Sequence, residues 1–172
     1  DRRGGAGLMT TLRFAAQVAA RLEEVFRANL AGNIATIATE TGEALGAIAT
    51  FITGERAVTP AETYPAMWIF VQGGEAESDA ERLQYALPYG VWRHSVDLGI
   101  AVVHPTDASA LREQLYRYTQ AVIKTIRDLD GTDPEFIRAR VVAYSLQDVI
   151  EFARETQQRQ DVVIHLEVTR AD

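Results

Sequence analysis

Val91-Trp92-Arg93-His94-Ser95-Val96-Asp97-Leu98-Gly99-Ile100-Ala101-Val102-Val103 is the stretch that decides the fold. Taken alternately, Trp92, Val96, Leu98, Ile100 and Val102 share one face, with only His94 interrupting the apolar set. Arg93, Ser95, Asp97 and Gly99 share the other face. Successive side chains of a strand point to opposite sides, so this pattern predicts a long strand with one face on a core. One apolar and one polar face is the mark of an antiparallel sheet, because a parallel sheet covered on both sides reads as an unbroken apolar run.

Upstream, Pro65 restricts Tyr64 to extended backbone, and Met67-Trp68-Ile69-Phe70-Val71 reads as a buried strand that ends at Gly73-Gly74. The acidic stretch from Glu75 to Glu81 has the composition of an exposed loop, and Pro88 with Gly90 opens the next element. Downstream, Thr106 or Asp107 caps a helix whose apolar residues Leu111, Leu115, Tyr118, Val122, Ile126 and Leu129 fall at steps of four and three. Gly131 and Pro134 stop it. Two more strands are expected, near Ile137 to Tyr144 and near Val162 to Thr169. A short helix or strand continuation joins them, and an exposed turn is expected at 157–160. Before all of this, residues 1–7 read as a flexible arm. Leu12, Ala15, Ala16, Ala19, Leu22, Phe26 and Leu30 form the stripe of an amphipathic helix, and 31–64, rich in Thr and Gly, reads as an irregular insert. The expected whole is one α+β domain over 8–172: an antiparallel sheet of about four strands with two main helices packed on one face.

A chain of 172 residues with 47% hydrophobic side chains can build a core without staples, which excludes a disordered reading. With no cysteine, thiolate metal sites, iron–sulfur clusters and cysteine nucleophiles are excluded as well. A formal charge of −7 argues against a broad basic grip on nucleic acid. Glu40 and Glu43 interrupt the low-charge stretch 31–54, which argues against a membrane span. The three histidines, His94, His104 and His165, lack the i, i+4 spacing of a helical zinc site. Asp128, Asp130, Asp133 and Glu135 fail the spacing of a calcium loop and read as helix termination with a solvated turn. Gly73-Gly74 belongs to no phosphate-cradling motif, and Ser95 next to His94 on a strand points to the opposite face. No catalytic, cofactor-binding or metal-ligating residue is therefore assigned. Tyr85 and Tyr89, close to Trp92 around Pro88, are candidates for contact with a partner.

The order of elements resembles that of the tail terminator or tail-completion proteins of long-tailed phages. The residues that carry the resemblance are the leading helix, the strand opening after a proline (Tyr64 to Val71), the alternating strand from Arg93 to Val103, the helix from Asp107 to Leu129 and the closing strand Val162 to Val168. The resemblance implies an α+β sandwich assembled with copies of itself into a ring, commonly six-fold. Such a ring sits at the head-proximal end of the tail tube, halts tube polymerisation, and joins the tube protein to a head connector or stopper protein. DNA passes through its lumen without being held. It further implies a structural protein of the virion, assembled in the host cytoplasm, with no catalytic residue, cofactor or membrane. Within it, the uncharged residues Ile34, Ile37, Ile48 and Phe51 become candidate subunit or tube contacts, beside Tyr85 and Tyr89. Another neck, head-completion or stopper protein would share this logic. The rival of a different class is a small ligand-binding or enzymatic α+β domain that gathers His94 or His165 with acids.

Overall fold

The alternating stretch becomes a strand paired antiparallel along its whole length with the last strand of the chain, from Val91 opposite Ala171 to His104 opposite Gln158. A computed structural model describes residues 4–54, 63–77, 90–104, 107–151 and 158–171, with side chains from residue 15 onward except at 151. Its elements are α1 (Gly4–Thr41), β1 (Thr50–Thr53), β2 (Ala66–Ala76), β3 (Val91–His104), α2 (Ala108–Leu129), β4 (Phe136–Leu146), β5 (Ile150–Glu151) and β6 (Gln158–Ala171). Among the described residues the sheet has six strands in the order β1-β2-β3-β6-β4, with β5 beside β6.

The α+β class and the packing of both helices against the sheet match the expectation, and α2 runs almost as its periodicity predicts. Leu111, Leu115, Tyr118, Val122, Ile126 and Leu129 are all buried, and the Asp107 carboxylate caps the helix by accepting from the Ser109 N–H at 2.9 Å. With Leu22, Phe26 and Leu30 of α1 they cover one face of the sheet, formed by Met67, Ile69, Leu98, Ile100, Ile164 and Leu166.

Three expectations need correction. First, the sheet is larger than four strands and not wholly antiparallel, because β1 pairs parallel with β2, Thr50 opposite Ala66 and Thr53 opposite Ile69. Second, the insert is not irregular throughout: residues 31–41 continue α1, and 50–53 form β1. The apolar stripe simply runs on through Ile34 and Ile37. The threonines that argued against a helix turn their hydroxyls onto the preceding turn, Thr36 to the Gly32 carbonyl at 3.0 Å, Thr39 to that of Ala35 at 2.9 Å and Thr41 to that of Ile37 at 2.8 Å. Each polar group is thereby satisfied inside the helix, which ends at Gly42 with φ of 72°. The helix is assigned from Gly4, inside the expected arm; residues 1–3 lie outside the described residues. Third, no exposed turn occupies 158–160. Gln158 opens β6, and both Arg159 and Gln160 are buried.

The opposite face of the sheet is not uniformly solvated either. Trp68 lies directly over Gly99 on the neighbouring strand, where an added Cβ would fall 1.8 Å from the indole ring. A glycine at 99 is therefore a packing requirement of that face.

Candidate functional site

The sheet ends on one side at β4, which pairs with β6 and has no strand on its other edge among the described residues. Phe136 and Ala139 face the core, with Val141 and Leu146 half-buried against it. The register slips twice, between Phe136 and Arg138 and between Val141 and Ala143. Ile137 and Val142, the residues left out of the pairing, are 43% and 54% exposed. Tyr144 is 50% exposed and meets Tyr116 of α2 edge to face, the ring centres 6.4 Å apart. Val149 and Ile150 extend the apolar strip onto β5. Apart from Tyr116, every exposed large apolar side chain among the described residues falls between 137 and 150. An edge strand carries unpaired backbone donors and acceptors, and an apolar edge adds the side chains that make pairing with another chain favourable.

The other end of the sheet is β1. The Arg27 guanidinium stacks 4.4 Å from the centre of the Phe51 ring and holds Glu23 at 2.9 Å, while Thr53 donates to Glu23 at 2.6 Å. The Thr53 hydroxyl, with Arg27 beside it, holds the Glu23 carboxyl below its ordinary range against the opposing effect of burial. The Tyr118 hydroxyl donates to the Gly46 carbonyl at 2.6 Å and so ties the segment before β1 to α2. Burial pushes that phenol up to about 12.

The residues singled out from the sequence separate accordingly. Ile34 and Ile37 are buried in this chain's own core, and Ile48, just before β1, and Phe51, within it, are half-buried against that core. Tyr85 and Tyr89 lie outside the described residues. The strip at Ile137, Val142, Tyr144 and Ile150 was missed. Its signal was the pair Val141-Val142, which breaks the two-residue alternation and puts apolar side chains on both sides of one strand.

On the sheet face away from the helices, the Asp97 carboxylate is only 1% exposed. It is flanked by Gln72 from β2 and by His165 from β6, whose Nδ1 lies 2.5 Å from Asp97 Oδ1. One residue pair further along, Arg140 grips Glu167 at 2.5 Å. Arg159 holds both oxygens of Asp161 at 2.7 Å beneath Tyr64, and these contacts raise its pKa. His165 is thus brought to an acid, but by compensating a buried carboxylate across three strands, a role that needs no substrate. His94 is buried on the helix-facing side, away from that pair.

The acidic turn after α2 ends the helix and is solvated as expected, with Asp128, Asp130 and Glu135 exposed, but Asp133 also ties it to α1. Asp133 accepts from the backbone N–H groups of Glu135 at 2.8 Å and Phe136 at 3.2 Å, and from Arg21 of α1 at 2.5 Å. Asp130 accepts from the N–H of Ala139 at 2.9 Å. Burial opposes ionisation of Asp133, yet Arg21 and the two N–H groups outweigh it and hold the carboxyl below its ordinary range. Above this turn, an open groove of about 760 Å³ runs between α1 and the end of α2, lined by Arg21, Asn29, Asn33, Thr125 and Asp133. Its polar groups largely satisfy one another, Asn33 donating to Thr125 at 2.8 Å and Arg21 to Asp133.

Among the described residues, no three His, Asp or Glu side chains gather closely enough to hold a metal ion, and no helix is long and apolar enough to cross a membrane. No protein-family model and no characterised protein matches the sequence. Among solved structures, a chain of the virion of a native gene transfer agent (GTA) particle is similar at a TM-score of 0.30. Its identity is 16%, over 83% of this chain and 92% of that one.

Proposed function

We propose that this chain is a structural subunit of a phage-like virion. In this reading it assembles with copies of itself into a ring that caps a tail tube, stops its polymerisation and joins it to the head connector. The observation that carries the reading is the β4–β5 edge. Ile137, Val142 and Tyr144 on β4 and Ile150 on β5 are left exposed along an edge that has no strand partner among the described residues, a surface suited to a neighbouring protein rather than to solvent. The α+β sandwich and the order of its elements, on which the resemblance to tail terminators rests, support it further. Function then resides in interface geometry, with no catalytic residue, and the charge of −7 suits a lumen that lets DNA pass without holding it.

Native mass measurement and negative-stain microscopy of the purified chain test this directly. The expected result is a closed ring with a central hole. A stable monomer at micromolar concentration overturns the reading and favours a small ligand-binding or enzymatic domain. Co-assembly with purified tail tubes separates a terminator from a stopper protein one layer nearer the capsid.

A further inference from the structure

We infer that the occupant of the β4–β5 edge is the opposite edge of a second copy of this chain, the end formed by β1 and residues 43–49. The inference rests on the ring reading above and specifies its contact.

β1 and β4 are the two ends of the strand path, and each has one side without a strand partner among the described residues. A head-to-tail contact uses each end once per subunit and closes into a ring when the rotation between subunits allows. Strand direction permits it. β2 runs with β1, β3 against β2, β6 against β3 and β4 against β6, so β4 lies antiparallel to β1 and a neighbour's β1 continues the sheet in antiparallel fashion.

Charge separates the two ends. In a chain of net charge −7, β4 carries Arg138 and Arg140 and no acid, and the acids of this edge, Asp148 and Glu151, come only after it, toward and in β5. Residues 28–54 carry Glu40 and Glu43 and no Lys or Arg, and Arg27, which lies over Phe51, is paired with Glu23. Arg140 and Glu43 each already hold one partner within the chain, Glu167 and Arg117. Arg138 and Glu40 are exposed. Pairing β4 with itself sets Arg138 and Arg140 near their own copies, whereas the β1 end of a neighbour brings no such excess of positive charge. Size is complementary as well. The β4–β5 edge presents large side chains, and the β1 end presents exposed Ala44, Ala47 and Ala49 beside half-buried Ile48 and Phe51.

Two exposed substitutions test the contact by complementation, with thermal melting to show that each variant folds as the wild type does. Val142→Glu places an acid on the basic edge, and Ala47→Lys places a base at the acidic end. Each is expected to weaken self-assembly about tenfold or more. Because each variant keeps one intact edge, an equimolar mixture regains assembly, read as a complex containing both chains by native mass spectrometry. If Ala47→Lys assembles as well as the wild type while Val142→Glu does not, β4 meets itself or another protein, and the inference fails although the ring stands. Rings that survive both substitutions, or a mixture that regains nothing, overturn it too. A wild-type chain that is monomeric removes the ring and this contact together.

Discussion

β3 and β4 hydrogen-bond to the same strand, one on each side of β6, and they live in opposite environments. From Val96 to Val102 every residue of β3 is buried, on both faces of the sheet. On β4 only Phe136 and Ala139 are buried, and its apolar residues at 137, 142 and 144 face outward. Pairing to β6 therefore does not decide what a strand is for. The number of neighbours does: β3 is held between β2 and β6 and is used for packing, while β4 has one strand partner among the described residues and turns most of its side chains outward.

The sharpest break of this contrast is at Gly99. An added methyl there would sit 1.8 Å from Trp68, so Gly99→Ala is expected to cost about 3 kcal/mol of folding stability in urea denaturation, by overpacking that the buried strand cannot relax. Next comes the clamp at the foot of β4. Asp133→Asn removes a charged hydrogen bond to Arg21 and is expected to cost about 2 kcal/mol at neutral pH. A carboxylate held below its usual range stabilises the fold above its unfolded pKa and ceases to do so as pH falls through its folded pKa. The difference between wild type and variant should thus shrink below about pH 4. A gap that stays constant to pH 2 would show that the charge contributes nothing. Smallest on folding is Val142→Ala, expected to shift stability by about 0.5 kcal/mol or less because the side chain is already half in water. A shift as large as that of Gly99→Ala would mean that β4 is an interior strand after all.

The core was legible where period and burial coincide. In α2 a single stripe, an Asp cap and a Gly-Pro stop agree, and β3 alternates cleanly, so both elements could be placed from residues alone. The last stretch of α1, residues 31–41, was not legible, because Thr36, Thr39 and Thr41 carry low helix propensity that their own hydroxyl bonds and the burial of Ile34 and Ile37 override. β1 is four residues long and owes its existence to β2, a dependence that no local pattern encodes. The pairing of Asp97 with His165 was hidden for another reason. The two are 68 positions apart, and only the β3–β6 register, which slips nowhere along 14 residues, sets them opposite. The edge strip was half-visible as Val141-Val142, but whether it faces a core or the outside depends on the strand order.

That strand order also has a consequence in time. All three partners of β6 precede it in the chain, so during synthesis β3, β4 and β5 emerge before the strand that joins them. Contacts spanning this much sequence form late, and the loop between them must close first. Until β6 is made, β4 has no ladder to lie on, and its sticky edge does not exist in a form a neighbour could recognise. If copies of the chain associate through this edge as proposed, the strand order alone defers that contact to subunits whose sheet is already built.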